Sequence, residues 1–220
     1  LIYILEIWSI KFFTMFVLPE AQLFGFEKKK LVKTPVKEFF EGKDCLLFLI
    51  PGAFTANDTK MVKEYEKAHD DICDEFGLND IFFLTMNDPY VMDAWWKSMK
   101  IKKCKYLPDG NGALSLRINE NDGLSEGDCC CTQFNTGMYK RNWRSVVLVQ
   151  DCMCIWNTAE QAPNEGKDEC VLQPYVQTTP TNVIKALRNR NQSSHIAAEN
   201  TKGLATLLDT SPIMGGGSPH

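Results

Sequence analysis

A chain of 220 residues, 44% of them hydrophobic, can bury one sizeable core, so one domain with extensions is expected. A net charge of −4 offers no basic face and excludes nucleic acid as an expected partner. Nine cysteines, odd in number and irregularly spaced, argue against a disulfide framework and for reduced thiols in an intracellular compartment.

Leu1–Leu18 is strongly apolar but interrupted by Glu6, Ser9, Lys11 and Thr14. A membrane-spanning helix needs about 20 apolar residues and tolerates charge poorly, so a span is not expected. A helix or strand packed on a partner, or one lying at a membrane surface, fits better; an uncleaved signal-like remnant or a mis-called start is the alternative. Lys28–Lys30 reads as a solvated basic cluster. Leu46–Ile50 is a continuous apolar run and predicts a buried strand, which Pro51 and Gly52 end. Ala53, Phe54 and Thr55 form the turn, and Asn57, Asp58 and Thr59 offer N-cap side chains to the segment that follows. A strand that delivers a loop onto a helix N-terminus places free amides and the helix dipole together, where anions are favoured.

Thr59–Phe76 carries Val62, Tyr65, Ala68, Ile72 and Phe76 at helical spacing, with Gly77 as the C-cap. Ile81–Met86 predicts a second buried strand and Met92–Met99 a helix, in which only one of Trp95 and Trp96 need face the core. Tyr106 and Leu107 lead into a turn over Pro108–Gly112. Ser145–Val149 predicts a third strand, Cys152–Trp156 its antiparallel neighbour and Pro180–Arg190 a closing helix. Ser193–His220 is polar and then glycine-rich, the composition of a flexible tail. Strand–helix–strand–helix followed by a hairpin and a helix is a thioredoxin-like order, with the sheet covered on both faces.

Pro51–Asp58 (PGAFTAND) resembles the active-site loop of the peroxiredoxins, specifically the type II, or peroxiredoxin-5-like, group. There the motif is PGAFTPxC and its cysteine is the peroxide-reducing nucleophile. Pro51 and Thr55 match the first proline and the threonine; Ala56 stands at the second proline and Asp58 at the cysteine. Asn87–Trp95 (NDPYVMDAW) looks like the family's NDPFVMxAW, and Lys105–Gly112 (KYLPDGNG) like its LADGNG turn. Gly137–Arg144 (GMYKRNWR) with Ser145–Asp151 looks like its arginine-bearing strand, and Val36–Phe40 like its short helix before the first core strand. The motifs run in the family's order from about Leu18 to Leu187. The resemblance implies an α/β, thioredoxin-like fold of the peroxiredoxin type, a central mixed sheet with helices on both faces. That domain would span 18–190 with an insertion around 119–136, between an apolar extension over 1–17 and a flexible tail over 191–220.

Peroxide reduction needs a thiolate to attack one peroxide oxygen while donors polarise the other. The resemblance gives the donor roles to Thr55 and Arg144. Asp58 cannot form a sulfenate, and a carboxylate is a poor nucleophile toward an O–O bond. The expected pocket of Pro51, Thr55, Asp58 and Arg144 is therefore vestigial, with Asp58 capping the helix and pairing with Arg144. The implied function is a catalytically inactive, peroxiredoxin-like structural or accessory subunit of a larger assembly. Its protein contacts would run through residues 1–17 and the C-terminal tail, with a dimer-like surface near the pocket; membrane contact stays open. The start at Leu1 fits either a removed targeting segment or a sequence incomplete at its start; the first, with a family found partly in organelles, would fit mitochondria. The alternative is a thiol-dependent peroxidase or redox sensor working through a relocated cysteine, Cys45 or Cys170. Cys129, Cys130 and Cys131, adjacent in sequence, cannot easily converge on one metal, and Cys152 and Cys154 on one strand face are expected as small core residues. His69 is expected at the surface. No metal or cofactor is expected.

Overall fold

In a computed structural model of the chain, residues 15–121, 131–132, 141–160 and 175–193 are described below. Two compact units divide between Pro180 and Thr181. The first is built on a six-stranded sheet of order β1-β10-β9-β4-β5-β6. Its strands are β1 (Phe16–Val17), β4 (Asp44–Leu49), β5 (Asp80–Thr85), β6 (Lys105–Pro108), β9 (Ser145–Gln150) and β10 (Met153–Ala159). β4, β5 and β6 run parallel, while β9, β10 and β1 add antiparallel pairings, so the sheet is mixed. β4 lies between β9 and β5, and Cys45–Leu49 are fully buried, which is why this strand has no polar alternation. Two further pairs stand apart, β2 (Gln22–Glu27) with β3 (Lys30–Pro35), and β7 (Cys131–Thr132) with β8 (Arg141–Asn142).

Helices cover both faces. α1 (Val36–Phe40) and α4 (Ser115–Asn121) lie on the face where Phe40, Leu47, Phe82, Leu107 and Ile118 share one core. α2 (Ala56–Phe76) and α3 (Pro89–Met99) lie on the other. There Phe48 meets Tyr65 at 4.4 Å and stacks on Phe83 at 4.9 Å, and Phe83 meets Trp96 at 6.0 Å between ring centroids. Met61, Val62, Tyr65 and Ile72 form the buried stripe of α2, and Gly77 ends it at φ 66° with its N–H on the Cys73 carbonyl. The helix over 180–193 lies in the second unit from Thr181 onward and buries Val183 and Leu187, one turn apart.

Three expectations are corrected. The N-cap of α2 is Thr55, and the helix begins at Ala56, so Asn57, Asp58 and Thr59 are already helical. Both Trp95 and Trp96 are buried, because Trp96 turns toward Phe83 and Tyr106 while its indole N–H donates to the Cys104 carbonyl at 3.2 Å. Cys152 is not on a strand; it sits at φ 65° in the turn between β9 and β10 and does not share a strand face with buried Cys154. Residues 1–14, most of the insertion, Cys170 and the tail from 194 lie outside the described residues. Among the described residues, no helix is long and apolar enough to cross a membrane.

The β2–β3 hairpin pairs Glu27 with Lys30, leaving Lys28 and Lys29 as a two-residue loop at φ 46° and 68°. Two positive φ angles make a type I′ pattern, which favours Asn-Gly. Left-handed backbone costs an ordinary L-residue roughly 1–2 kcal/mol. Lys28→Asn combined with Lys29→Gly is expected to raise stability by about 1 kcal/mol, read as a higher urea midpoint at unchanged slope.

Candidate functional site

β4 ends with the Ile50 N–H donating to the Leu84 carbonyl at 3.0 Å, and the chain then leaves the sheet through Pro51 and Gly52, both buried. Phe54 takes a left-handed φ of 63°, which turns the backbone so that Thr55 can start α2. The Ala53 N–H donates to Asn87 Oδ1 at 3.0 Å, and the Thr85 hydroxyl donates to the same oxygen at 2.9 Å. Asn87 thus ties the loop to the end of β5, and a Cβ on Gly52 would meet that oxygen at 3.1 Å. Asp88, next in sequence, caps α3 by accepting from the Tyr90 and Val91 N–H groups.

Asp58 is the third residue of α2 and is fully buried. Its Oδ2 accepts from the Thr55 hydroxyl at 2.7 Å and the Gly52 N–H at 3.0 Å. Its Oδ1 accepts from Nε and Nη2 of Arg144 at 2.9 and 2.8 Å. Thr55 Oγ1 accepts in turn from the Asp58 N–H at 3.2 Å. Thr55 and Asp58 therefore make a variant of the capping box, in which the N3 acid reaches back to the N-cap hydroxyl and the loop amide. The spacing Thr-x-x-Asp in the sequence carries that signal. Burial pushes the Asp58 carboxyl upward, and the Arg144 charge, the Thr55 hydroxyl and the Gly52 N–H pull it back. The four N–H and O–H donors of these three residues all bind the carboxylate form.

Arg144 stands just before β9 and is 1% exposed. The Tyr175 ring lies 5.9 Å from its Cζ, with the phenol donating to Glu64 Oε2 at 2.7 Å. Glu160 holds that segment in place. Its Oε1 accepts from the Val176 and Thr178 N–H groups and the Thr178 hydroxyl, and its Oε2 from the Gln177 N–H. The Glu160 N–H donates to the Arg144 carbonyl at 3.0 Å. Neither Tyr175 nor Glu160 was identifiable from the sequence, since their contacts are made across long stretches of chain and follow no local pattern.

The structure brings together Pro51, Thr55, Asp58 and Arg144, and sets the alternative thiol Cys45 apart. Cys45 pairs with Asp80 at the start of β4, at the opposite end of that strand from the loop. It is fully buried, and burial pushes its thiol up to about 12. Burial likewise pushes Cys73 up to about 11 and raises Cys104 further. These thiols are not nucleophilic thiolates at neutral pH. Cys170 lies outside the described residues. His69, expected at the surface, is largely covered: its side chain is 13% exposed, with Nδ1 3.0 Å from Asp70 Oδ1 and Nε2 3.8 Å from Cys73 Sγ. Among the described residues, no three His, Cys, Asp or Glu side chains gather as a metal would require.

Sheet order, helices on both faces and a loop–helix pocket facing a buried arginine define an α/β protein of the thioredoxin-like, peroxiredoxin-type fold. Solved structures agree. An X-ray structure of a peroxiredoxin superposes with a TM-score of 0.68 at 28% identity, covering 79% of this chain and 96% of that one. A 1-Cys peroxiredoxin, the Plasmodium falciparum antioxidant protein, gives 0.66 at 28% identity over 79% and 98%. No family model matches the chain. Among curated proteins, rice Peroxiredoxin-2C is 35% identical over 112 residues, which is 50% of this chain and 68% of that protein. A Rhizobium etli peroxiredoxin is 29% identical over 152 residues, 69% of this chain and 78% of that protein. The chain belongs to the peroxiredoxin family.

Proposed function

We propose that the chain is a type II peroxiredoxin-like protein in which Asp58 stands at the peroxidatic position, and that it works as a structural or accessory protein rather than as a peroxidase. The observation that carries this reading is the state of the Asp58 carboxylate. Its two oxygens take up the Thr55 hydroxyl, the Gly52 amide and two guanidinium N–H groups. Thr55 and Arg144 are the donors that the family motif offers to peroxide, and here they are engaged by the protein's own side chain. The relatives' names indicate peroxiredoxins, so peroxide reduction is the activity to look for; a carboxylate gives it no electron pair able to cleave an O–O bond.

Exposed apolar side chains support a role in protein contacts. Phe54 and Tyr90 are 60% and 65% exposed beside the pocket, and Met15 and Val17 are 62% and 61% exposed at the β1 edge. The β1 edge continues the apolar N-terminal segment that the proposal assigns to a partner in an intracellular assembly.

Peroxide consumption with a thiol reductant tests the first part, on the full chain and on Cys45→Ser and Cys170→Ser variants. No turnover above the reductant's own background is expected in any of them. Turnover that one serine variant abolishes would overturn the reading in favour of a relocated thiol. Native size in a gentle extract, with and without detergent, tests the second part: migration in a large particle is expected, and a free monomer or dimer removes the accessory role.

A further inference from the structure

Away from the Asp58 pocket, β2 packs beside β6, the edge strand of the sheet, and a cavity of about 380 Å³ lies between the hairpin and the sheet. That volume is within the roughly 300–1,000 Å³ of small-molecule sites. Leu23 and Gly25 share one face of β2, opposite Thr34 and Val32 of β3, and all four line the cavity. Leu23 is buried, so this is the inward face of the hairpin. Across from it stand Phe39, Phe82, Tyr106 and Leu107. The polar groups of the large aromatic lining residues are already bonded within the protein: the Trp96 N–H to the Cys104 carbonyl, and the Tyr106 hydroxyl to Asp93 Oδ1 at 3.5 Å.

Gly25 is the telling residue. A strand position facing inward ordinarily carries a side chain that packs, and glycine there weakens the strand. At Gly25 a Cβ would meet no atom within 4 Å, and the backbone is not left-handed. Neither a close neighbour nor the φ angle requires glycine, so the open space above it suits a molecule from outside the chain.

Charge at the rim selects the kind of molecule. Lys43, Lys102 and Lys105 line the cavity against one acid, Glu27. Lys105 is held by Asp80 at 2.7 Å, and Lys43 donates to the carbonyls of Glu38 and Phe39 at 3.3 and 3.2 Å. Lys102 uses its backbone N–H on Glu66, but its ammonium makes no hydrogen bond or salt bridge to another described residue. We propose that this cavity binds a free aliphatic monocarboxylate, its chain laid over Gly25 against the aromatic wall and its carboxylate set on Lys102.

Calorimetric titration of the full chain with dodecanoate, below its micelle concentration, tests this. Saturable binding near one per chain is expected. Gly25→Leu should weaken it at least tenfold while leaving the urea midpoint unchanged or higher, and Thr34→Phe, which fills the same face, should do likewise. Lys102→Glu should weaken it about fivefold or more. Dodecyltrimethylammonium, with the same tail and the opposite charge, should bind at least tenfold more weakly than dodecanoate. The proposal is overturned by the absence of saturable dodecanoate binding, by full affinity in folded Gly25→Leu and Thr34→Phe variants, or by equal binding of the cation. Capture of the chain by phosphatidylglycerol vesicles without dodecanoate binding would also overturn it, assigning the lysines to a lipid surface.

Discussion

Arg144→Met is expected to cost about 3–5 kcal/mol of stability, because it removes one partner of a buried ion pair and leaves the other charge unmatched. The pair has no solvent to fall back on: Asp58 is 0% and Arg144 1% exposed, and two guanidinium N–H groups converge on one carboxylate oxygen. A surface pair of the kind that joins Lys37 and Glu41 would cost far less, since water replaces what is lost. Burial already holds the Asp58 carboxyl up in the parent protein, and the variant should show a stronger pH dependence. Without Arg144, burial holds the folded carboxyl of Asp58 above its unfolded value, so the folded state binds the proton more tightly. The deficit is then full above the folded pKa and shrinks as pH falls through it. A double variant, Asp58→Leu with Arg144→Met, should recover much of the loss, because an apolar pair of similar volume leaves no charge buried. Urea unfolding at neutral and acidic pH reads all three expectations. Equal midpoints for the parent protein and Arg144→Met would mean that the pair contributes nothing and that the cap alone holds the loop.

The second large effect is a gain. Asp58→Cys is expected to give the chain thiol-dependent peroxide turnover above that of the parent protein. The substituted sulfur would lie at the N-terminus of α2, beside Arg144 and within reach of the Thr55 hydroxyl. A helix N-terminus and a cation lower a thiol pKa from about 8.5 into a range of about 3.5–7.5. The thiolate attacks one peroxide oxygen; the O–O bond breaks, the sulfur becomes a sulfenate and the departing oxygen leaves as hydroxide, which protonates to water. A dithiol reductant then returns the sulfenate to the thiol with release of a second water. Peroxide loss in the presence of dithiothreitol, compared with the parent protein, measures the gain. A folded variant with no turnover would mean that the loop no longer presents its donors to peroxide and would remove the assignment of Asp58 to the peroxidatic position.

How far the sequence goes depends on the physics of each element. Leu46–Ile50 was legible because a strand buried on both faces has no polar alternation to confuse with a helix, and Gly77 was legible because a left-handed C-cap selects for glycine. The β2–β3 hairpin was not, since its turn is Lys28-Lys29 and carries none of the residues that announce two positive φ angles. Cys152 misled for the same reason: Asp151 and Cys152, at φ 44° and 65°, make a turn where the alternation of Cys152 and Cys154 suggested a strand. The N-cap was read two to four residues late, because Asn57, Asp58 and Thr59 lie just beyond Thr55 and only the geometry shows which side chain receives the amide. At the site, Thr55 and Asp58 were visible as neighbours in one loop. Arg144, 86 residues further on, was reached only through the resemblance, and Glu160 and Tyr175 not at all.

The carboxylate of Asp58 has one more consequence. Two oxygens on a single atom beyond Cβ, sharing one negative charge, give it the outline of a cysteine sulfinate, the rung of thiol oxidation that spontaneous chemistry does not reverse. A sulfinate is made by oxidant and unmade by repair; an aspartate is made by translation. With that charge written into the chain, the bonds that tie the first turn of α2 to Gly52 and Arg144 depend on no thiol, and neither peroxide nor reductant can switch them.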